Sequence, residues 1–299
     1  MEFLPPVFYD HLASHLEDYD LFKISVKFCT CMLTEVSHIH YKKRRNVTLF
    51  AVQNEGEEWI FCCGDKPNRT LADMTKYEYV NEVAFLYNRN VVPYFYPFFW
   101  KDSLEKTLRV LPRYLRQAKI TWDRDIASDE VKRYRLKTNF WDIFFASSLS
   151  RAPFSEVYMP YVDHRSEEFL RQQISFRGLE KLKISRTSPP SVWDCIEELL
   201  RQPQLNFLWI TDMFAVSSRM LEALINKLKC SKFKFDIRGK KHSDFDLRKW
   251  RADFFSGQTE ERSGGGSSVE LGQLFHQHLA SRTIRYYHSG QKIGISCYS

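Results

Sequence analysis

Apolar residues recur along the middle of the chain in a short pattern that repeats at nearly constant spacing. Each copy has apolar residues at positions i, i+3 and i+5, and the copies begin at residues 154, 179, 205 and 230. Alternate side chains of a strand point to one face of a sheet, so each copy predicts a strand with one apolar face. The four copies are Phe154, Val157 and Met159; Leu179, Leu182 and Ile184; Leu205, Leu208 and Ile210; and Cys230, Phe233 and Phe235.

A helical pattern follows the second and third copies. Pro203 marks the end of the first of these helices, because proline lacks an N–H donor and clashes with the preceding turn. Strands that alternate with helices predict a parallel sheet with right-handed crossovers. The apolar residues that share a helical face are Val192, Ile196, Leu199 and Leu200 in the first helix, and Met220, Leu221, Leu224 and Leu228 in the second.

Weaker copies of the same pattern precede residue 154. Helices predicted over 104–116 and 140–149 separate them, so that about six strand and helix units run from residue 78 to residue 238. The two earlier copies are Val80, Val83 and Phe85, and Leu115, Ala118 and Ile120.

The two ends of the chain depart from this pattern. Residues 4–42 predict short helices with a break and N-cap at 18–20. Residues 47–52 and 59–63 predict a hairpin around the turn at 54–57. Beyond residue 241 we expect a helix over 246–255, a flexible Gly/Ser loop over 257–268, and terminal strands over 282–288 and 292–298.

Composition places the chain among ordinary globular proteins. Its 299 residues are 43% hydrophobic and 27% charged. The first residues carry no basic region followed by an apolar run, and the longest apolar stretch, 91–100, is broken by Pro93 and Pro97. The seven cysteines are an odd number, which favours reduced thiols. We therefore expect an intracellular protein, cytoplasmic or nuclear, that does not bind membranes.

Residues with catalytic or metal-binding chemistry are present but scattered. Cys29, Cys31, His38 and His40 have C-x-C and H-x-H spacings that differ from those of common zinc fingers. The nine histidines form no nucleophile, metalloprotease or deaminase pattern. We expect neither catalysis nor a cofactor or metal.

The charge of the chain raises the question of nucleic acid. The formal net charge is +7, with a basic run at 42–45 and Arg109, Arg113 and Arg116 spaced along a predicted helix. Basic clusters attract nucleic acid, but no stacking module accompanies them, and a short run is usually a solvated face. We therefore do not expect nucleic acid to be the partner.

Two parts of the sequence resemble known families. The i, i+3, i+5 spacing resembles the L-x-x-L-x-L core of leucine-rich repeats. The N-terminal residues Leu4, Pro5, Phe8, Leu12, Leu16, Leu21 and Ile24 resemble an F-box, a helical motif that begins with Leu-Pro. Residues 169–174, 178–182 and 198–205 resemble a family of F-box-like proteins, expanded in nematodes, whose C-terminal regions carry repeats.

The resemblance implies an α/β fold in which an N-terminal helical F-box-like segment precedes an irregular leucine-rich-repeat-like β/α solenoid with parallel strands. It implies boundaries at 1–45 for the F-box-like segment, 46–77 for a bridging hairpin, 78–240 for the repeats and 241–299 for a C-terminal cap.

The resemblance also implies a non-catalytic protein-interaction role. A Skp-type adaptor of a cullin ubiquitin ligase would bind the seven F-box-like residues, and an unknown protein substrate would bind the repeat surface. Three alternatives stay open. The N-terminal helices are only a cap over the first repeat, the chain is an interaction protein without a ligase role, or it is a basic protein associated with nucleic acid.

Overall fold

The structure is a computed structural model that divides into two units, Met1–Arg116 and Gln117–Ser299. The residues described are 4–27, 31–53, 58–63, 69–87, 100–122, 138–186, 188–245, 260–264, 267–273, 283–289 and 292–298.

The first unit begins with three helices, α1 (Pro6–His15), α2 (Asp18–Lys27) and α3 (Met32–Lys43). Pro6 occupies the first turn of α1, where its missing N–H group has no helical partner to lose. The predicted helices are thus present, but the break falls at residues 16 and 17 rather than at 18–20. The acidic residues of 18–20 instead begin α2, where they favour the positive end of the helix dipole.

Four strands follow in the first unit: β1 (Arg45–Gln53), β2 (Trp59–Cys63), β3 (Glu78–Tyr87) and β4 (Trp100–Lys101). Strands β1 and β2 pair antiparallel, which confirms the predicted hairpin. Strand β1 also pairs in parallel with β3, and β4 pairs with β2. A short helix α4 (Leu104–Val110) continues as a 3-10 turn, Leu111–Tyr114, so the helix predicted to residue 116 ends earlier, where Pro112 and the start of β5 intervene.

The second unit contains the repeated βα pattern. Its parallel strands are β5 (Leu115–Trp122, which begins just before the boundary), β6 (Phe154–Pro160), β7 (Lys181–Ser185), β8 (Phe207–Val216) and β9 (Lys234–Lys241). The helices between them are α5 (Thr138–Ala146), α6 (His164–Ser175), α7 (Ser191–Leu200) and α8 (Ser218–Cys230). The prediction of an α/β protein with an N-terminal helical segment and parallel strands is confirmed.

The register of β6, β7 and β8 follows the predicted repeat. Val157 lies opposite Leu182, and Leu182 lies opposite Leu208. The third members align in the same way, as Met159, Ile184 and Ile210. All six side chains are buried, which confirms the alignment of these copies.

The outer copies are displaced by two residues from their predicted alignment. In β9 the residue opposite Leu208 is Phe235, and Cys230 is exposed at the end of α8. In β5 the residue opposite Val157 is Ile120. Side chains two residues apart in a strand share a face, so a register shift of two residues keeps the apolar face buried. The apolar spacing alone therefore does not exclude such a shift.

Four antiparallel strands follow: β10 (Glu260–Gly264), β11 (Ser267–Gln273), β12 (Thr283–Ser289) and β13 (Lys292–Tyr298). Strand β13 pairs antiparallel with β9, and the two predicted terminal strands are confirmed. Residues 260–264 and 267–268 are strand where composition predicts a flexible loop, because their backbones pair with each other and with β12. The helix predicted over 246–255 lies outside the described residues.

Aromatic side chains fill the space between β5, β6 and the helices α5 and α6. The ring of Trp122 meets Trp141 and Phe144 of α5 and Phe169 of α6, with centroids between 5.0 and 6.4 Å apart. Because Trp122 lies two residues after Ile120, it shares the face of β5 that carries the apolar row. The apolar face of these strands is therefore covered by helices.

Polar side chains tie successive βα units together. Gln173 is fully buried and bonds the backbone of Ala152 and Phe154, at 2.9 and 3.0 Å. Gln202 donates to the carbonyl of Ile174 at the end of α6, and Lys227 donates to the carbonyl of Gln202. These bonds satisfy backbone groups near the helix ends that would otherwise be unpaired.

We predict that Leu182→Asp unfolds the second unit. Leu182 is 1% exposed between Val157 and Leu208, and burying an unpaired carboxylate there destabilises by several kcal/mol, which is comparable with the stability of a domain. Thermal denaturation followed by circular dichroism measures the effect. Lys183→Ala, on the adjacent residue, is the matched control that should keep a cooperative transition; an unchanged melt of Leu182→Asp would remove Leu182 from the core.

Candidate functional site

The seven F-box-like residues divide between exposed and buried positions. Leu4, Pro5, Phe8 and Leu12 are exposed at the start and along α1, whereas Leu21 on α2 is fully buried. The two remaining residues, Leu16 and Ile24, are partly buried. The structure therefore leaves four of the predicted partner-binding residues accessible and places Leu21 in the interior of the first unit.

Further apolar side chains are exposed on the same three helices. Among the residues that the structure describes, ten of the eleven large hydrophobic side chains that are exposed lie between residues 4 and 41. The most exposed is Val7, at 71%. We call this set the apolar helical surface; its members are Leu4, Val7, Phe8, Leu12, Tyr19, Phe22, Val26, Met32, Ile39 and Tyr41.

A buried arginine fixes the connection between α1 and α2. Arg44 donates to the carbonyls of Ala13 and Leu16, at 2.9 and 2.6 Å, and to the carboxylate of Asp18, at 2.8 Å. The carbonyls at the end of α1 carry the negative end of the helix dipole, so a cation is favourable there. Arg44 belongs to the basic run that the sequence suggests is solvated; its burial corrects that interpretation.

A second arginine joins the same network. Arg116 also donates to the carbonyl of Leu16, and the guanidinium groups of Arg44 and Arg116 lie 5.6 and 5.1 Å from the ring centroid of Tyr79. Burial, followed by the charge of Arg44, lowers the pKa of Arg116. Arg116 lies in β5 rather than on a helix with Arg109 and Arg113, and it supports the helical segment instead of forming a basic stripe.

Asp10 holds α1 against α3 and the turn before β3. Its carboxylate accepts from Lys76 Nζ at 2.9 Å and lies 2.9 Å from Nε2 of the buried His40. Hydrogen bonds from Lys76 and His40 lower the pKa of Asp10. His40, considered as a zinc ligand from its spacing, is instead bonded to a carboxylate.

The second unit presents a different kind of surface on the strand face opposite the helices. We call it the open face. Its central side chains are half-buried, whereas on β9 Asp236 is buried and Lys234 and Arg238 are exposed. Its residues alternate with the apolar row and include Lys119 on β5, Glu156 and Tyr158 on β6, Lys181 and Lys183 on β7, Phe207 and Trp209 on β8, and Lys234, Asp236 and Arg238 on β9.

Lysines and aromatic rings alternate across the centre of the open face. Lys183 Nζ lies 3.8 Å from the ring centroid of Trp209 and 5.8 Å from that of Tyr158. Lys119 Nζ lies 4.8 Å from the centroid of the Tyr158 ring. These are cation–π distances, and such contacts strengthen as the cation loses water.

Lys183 differs from the charged residues beside it. Burial lowers the pKa of Lys183, and the charge of Lys119 lowers it further. Glu156 pairs with Lys181 at 2.6 Å, and the buried carboxylate of Asp236 pairs with Arg238 at 2.7 Å. Within the part of the chain that the structure describes, no carboxylate forms an ion pair with Lys183.

The central residues of the open face stand between the apolar positions of the repeat. Tyr158, Lys183 and Trp209 each come directly before the third apolar member of a copy. This second row is a signal that the sequence contains, but apolar spacing alone does not reveal it. The rings and the ammonium group meet only because the register places the three residues side by side.

A cleft of about 400 Å³ lies beside α5 and α6 and is a weaker candidate. Two arginines, Arg151 and Arg165, line it, and Arg165 is already bonded to Asp142 at 2.6 Å and to Asp163 at 2.7 Å. These two carboxylates hold the pKa of Arg165 above its usual value. The cleft therefore offers an incoming anion no unneutralised charge at this arginine.

Neither a metal-binding cluster nor a membrane-spanning helix is present among the described residues. No group of three or more histidine, cysteine or carboxylate side chains is placed to hold a metal ion. No helix in this part of the chain is both long and apolar enough to cross a bilayer.

Comparison with known proteins finds no family model, curated protein or solved structure that matches this chain.

We predict that Asp10→Asn destabilises the first unit at neutral pH but not in acid. Loss of the charged hydrogen bonds to Lys76 and His40 should lower the free energy of unfolding by about 1 kcal/mol, a value reduced for partial exposure. Because folding lowers the pKa of Asp10, its contribution is present above the unfolded pKa and disappears as pH falls through the folded pKa.

Denaturant unfolding of the parent and of Asp10→Asn between pH 7 and pH 2 measures the difference in their free energies of unfolding. Asp20→Asn on α2 is the matched control. A difference between the parent and Asp10→Asn that stayed constant across this range would contradict the role of the Asp10 carboxylate.

Proposed function

We propose that this chain is a non-catalytic recruiting subunit whose N-terminal helices dock on a Skp-type adaptor of a cullin ubiquitin ligase. We also propose that its βα units form a leucine-rich-repeat-like solenoid that presents a surface to a protein substrate. The single observation that carries the proposal is the apolar helical surface, because exposed apolar side chains concentrated in one segment mark interaction sites.

The three helices have one face that is already used inside the first unit. Tyr9, Ala13 and Leu21 are buried there, and Arg44 fastens the end of α1. A helical cap needs one apolar face toward the protein and a polar face toward water. These helices have a second set of apolar side chains on the outside, which a cap does not require.

The resemblance of the N-terminal sequence to an F-box supplies the identity of the occupant. Leu4 and Pro5 begin the motif, and Phe8 and Leu12 continue along the exposed side of α1. Pro5 precedes α1 with an extended backbone. Its ring fixes the backbone angle φ, so it stiffens the entry to the helix. We therefore assign these four accessible residues to the adaptor contact and Leu21 to packing within the segment.

The βα units support the recruiting role. Four neighbouring parallel strands keep a constant register through Val157, Leu182, Leu208 and Phe235, which is the arrangement that stacked repeats require. Helices cover one face of these strands and the open face is left for a partner.

The experiment is capture of the full chain by a purified Skp-type adaptor. We predict that Pro5→Ala with Phe8→Ala weakens capture at least about tenfold, since large aromatic side chains dominate interface energies. Both residues are exposed, so the melting temperature should stay within a degree or two of the parent. Phe176→Ala, which removes an equally exposed ring from the second unit, is the matched control and should leave capture unchanged.

Two results would contradict the proposal. If the parent is not captured, residues 4–24 are a structural cap and the chain has no ligase role of this kind. The same conclusion follows if capture is lost only together with the cooperative thermal transition.

A further inference from the structure

The charged and aromatic residues of the open face define what that face can bind. We infer that it binds an acidic segment of a partner protein, with a carboxylate of that segment accepting hydrogen bonds from the Lys183 ammonium group. This inference names the substrate class of the proposed recruiting subunit and rests on that function for its biological meaning. Binding at the open face is nevertheless measurable without the adaptor.

Among the residues that the structure describes, no carboxylate forms an ion pair with Lys183. Its ammonium group is half-buried on β7, with the rings of Trp209 and Tyr158 on either side. The rings replace part of the lost hydration but accept no strong hydrogen bond. An ammonium group has three donors, and a carboxylate gives it the strongest partner available to a protein segment.

The electrostatics of the face agree with an anionic partner. The pKa of Lys183 is lowered by burial and by Lys119, so its charged form is less well stabilised than in water. A bound carboxylate reverses that loss. The carboxylates of the face do not compete for Lys183, because Glu156 is bonded to Lys181 and Asp236 to Arg238.

The spacing of the cations indicates the pattern of the acidic segment. The Nζ atoms of Lys119 and Lys183 lie 4.8 and 5.8 Å from the centroid of the same ring, that of Tyr158, so they are at most about 11 Å apart. A chain in the polyproline II conformation has three residues per turn and advances about 3.1 Å per residue, so acidic residues three positions apart lie on one side of it, about 9 Å apart. We therefore expect an extended segment with acidic residues at positions i and i+3 that crosses the strands.

Nucleic acid is the competing anionic ligand, since basic and aromatic residues on a sheet also suit single strands. Binding of that kind depends on bases stacking on open aromatic faces. Here the Trp209 ring is already covered at 3.8 Å by Lys183, and the Tyr158 ring by Lys119. These observations favour a protein carboxylate.

The test measures binding of the full chain to a fluorescent peptide with Glu at every third position among Gly and Ser. The comparison ligands are the same peptide with Gln for Glu and a single-stranded RNA oligonucleotide of equal charge. We expect the Glu peptide to bind in a salt-sensitive manner and the Gln peptide to bind at least about tenfold more weakly.

Variants assign the binding to Lys183. Lys183→Gln should weaken the Glu peptide about tenfold, Lys183→Arg should retain most of the affinity, and Lys232→Gln, a loss of charge outside the strands, should have no effect. Thermal melting of each variant separates loss of binding from loss of folding. Adaptor capture by Lys183→Gln should equal that of the parent, so failure of this inference is distinct from failure of the adaptor proposal.

Three results would overturn the inference. The first is equal binding of the Glu and Gln peptides, and the second is full affinity of folded Lys183→Gln for the Glu peptide. The third is that RNA binds the parent more tightly than the Glu peptide does and that Lys183→Gln loses RNA binding.

Discussion

The second unit depends on the alignment of one buried residue from each parallel strand. Val157, Leu182, Leu208 and Phe235 lie opposite one another, and this row has to face the helices. A one-residue slip of any strand would turn its apolar side chains to water and its charged ones inward. The same alignment places Tyr158, Lys183 and Trp209 side by side on the other face, so the proposed binding surface follows from the requirement for a core.

The first unit relies on a different constraint, the buried charge of Arg44. A guanidinium group that is 7% exposed needs hydrogen-bond partners to offset its lost hydration. The carbonyls of Ala13 and Leu16 and the carboxylate of Asp18 accept hydrogen bonds from its terminal nitrogens, Nη1 and Nη2. With α1 and α2 fastened from the inside, their outer apolar side chains remain available, and this is the physical basis of the proposed adaptor contact.

The sequence predicts those parts of the fold that local spacing controls. The positions of Leu182 and Leu208 in the sheet were predictable because three copies of the pattern agree. Helices α7 and α8 were predictable because their buried residues recur at helical spacing. The two-residue shift that places Phe235 opposite Leu208 was not predictable, since either alignment buries an apolar face. The parallel pairing of β1 with β3 was missed because it joins distant segments, which local patterns do not specify.

The candidate site was predictable only in part, for a related reason. Phe8 and Leu12 were identified through the resemblance of residues 4–24 to an F-box, and the structure leaves both exposed. Lys183 was missed because a lysine between apolar residues is usually a solvated position. Only the register of β6 to β8 shows that it lies between two rings without a carboxylate partner.

The central claim is that the parallel strands have one helix-covered face and one open face. Rates of thiol labelling in the native protein test this arrangement. Single cysteines are introduced at positions 181, 182, 183 and 184 of β7, in a protein in which serine replaces Cys29, Cys31 and Cys230. We expect labelling rates to alternate along β7. Cysteines at 181 and 183 should react rapidly, and those at 182 and 184 should be protected until the protein unfolds. Equal labelling of 182 and 183 in a folded protein would contradict it.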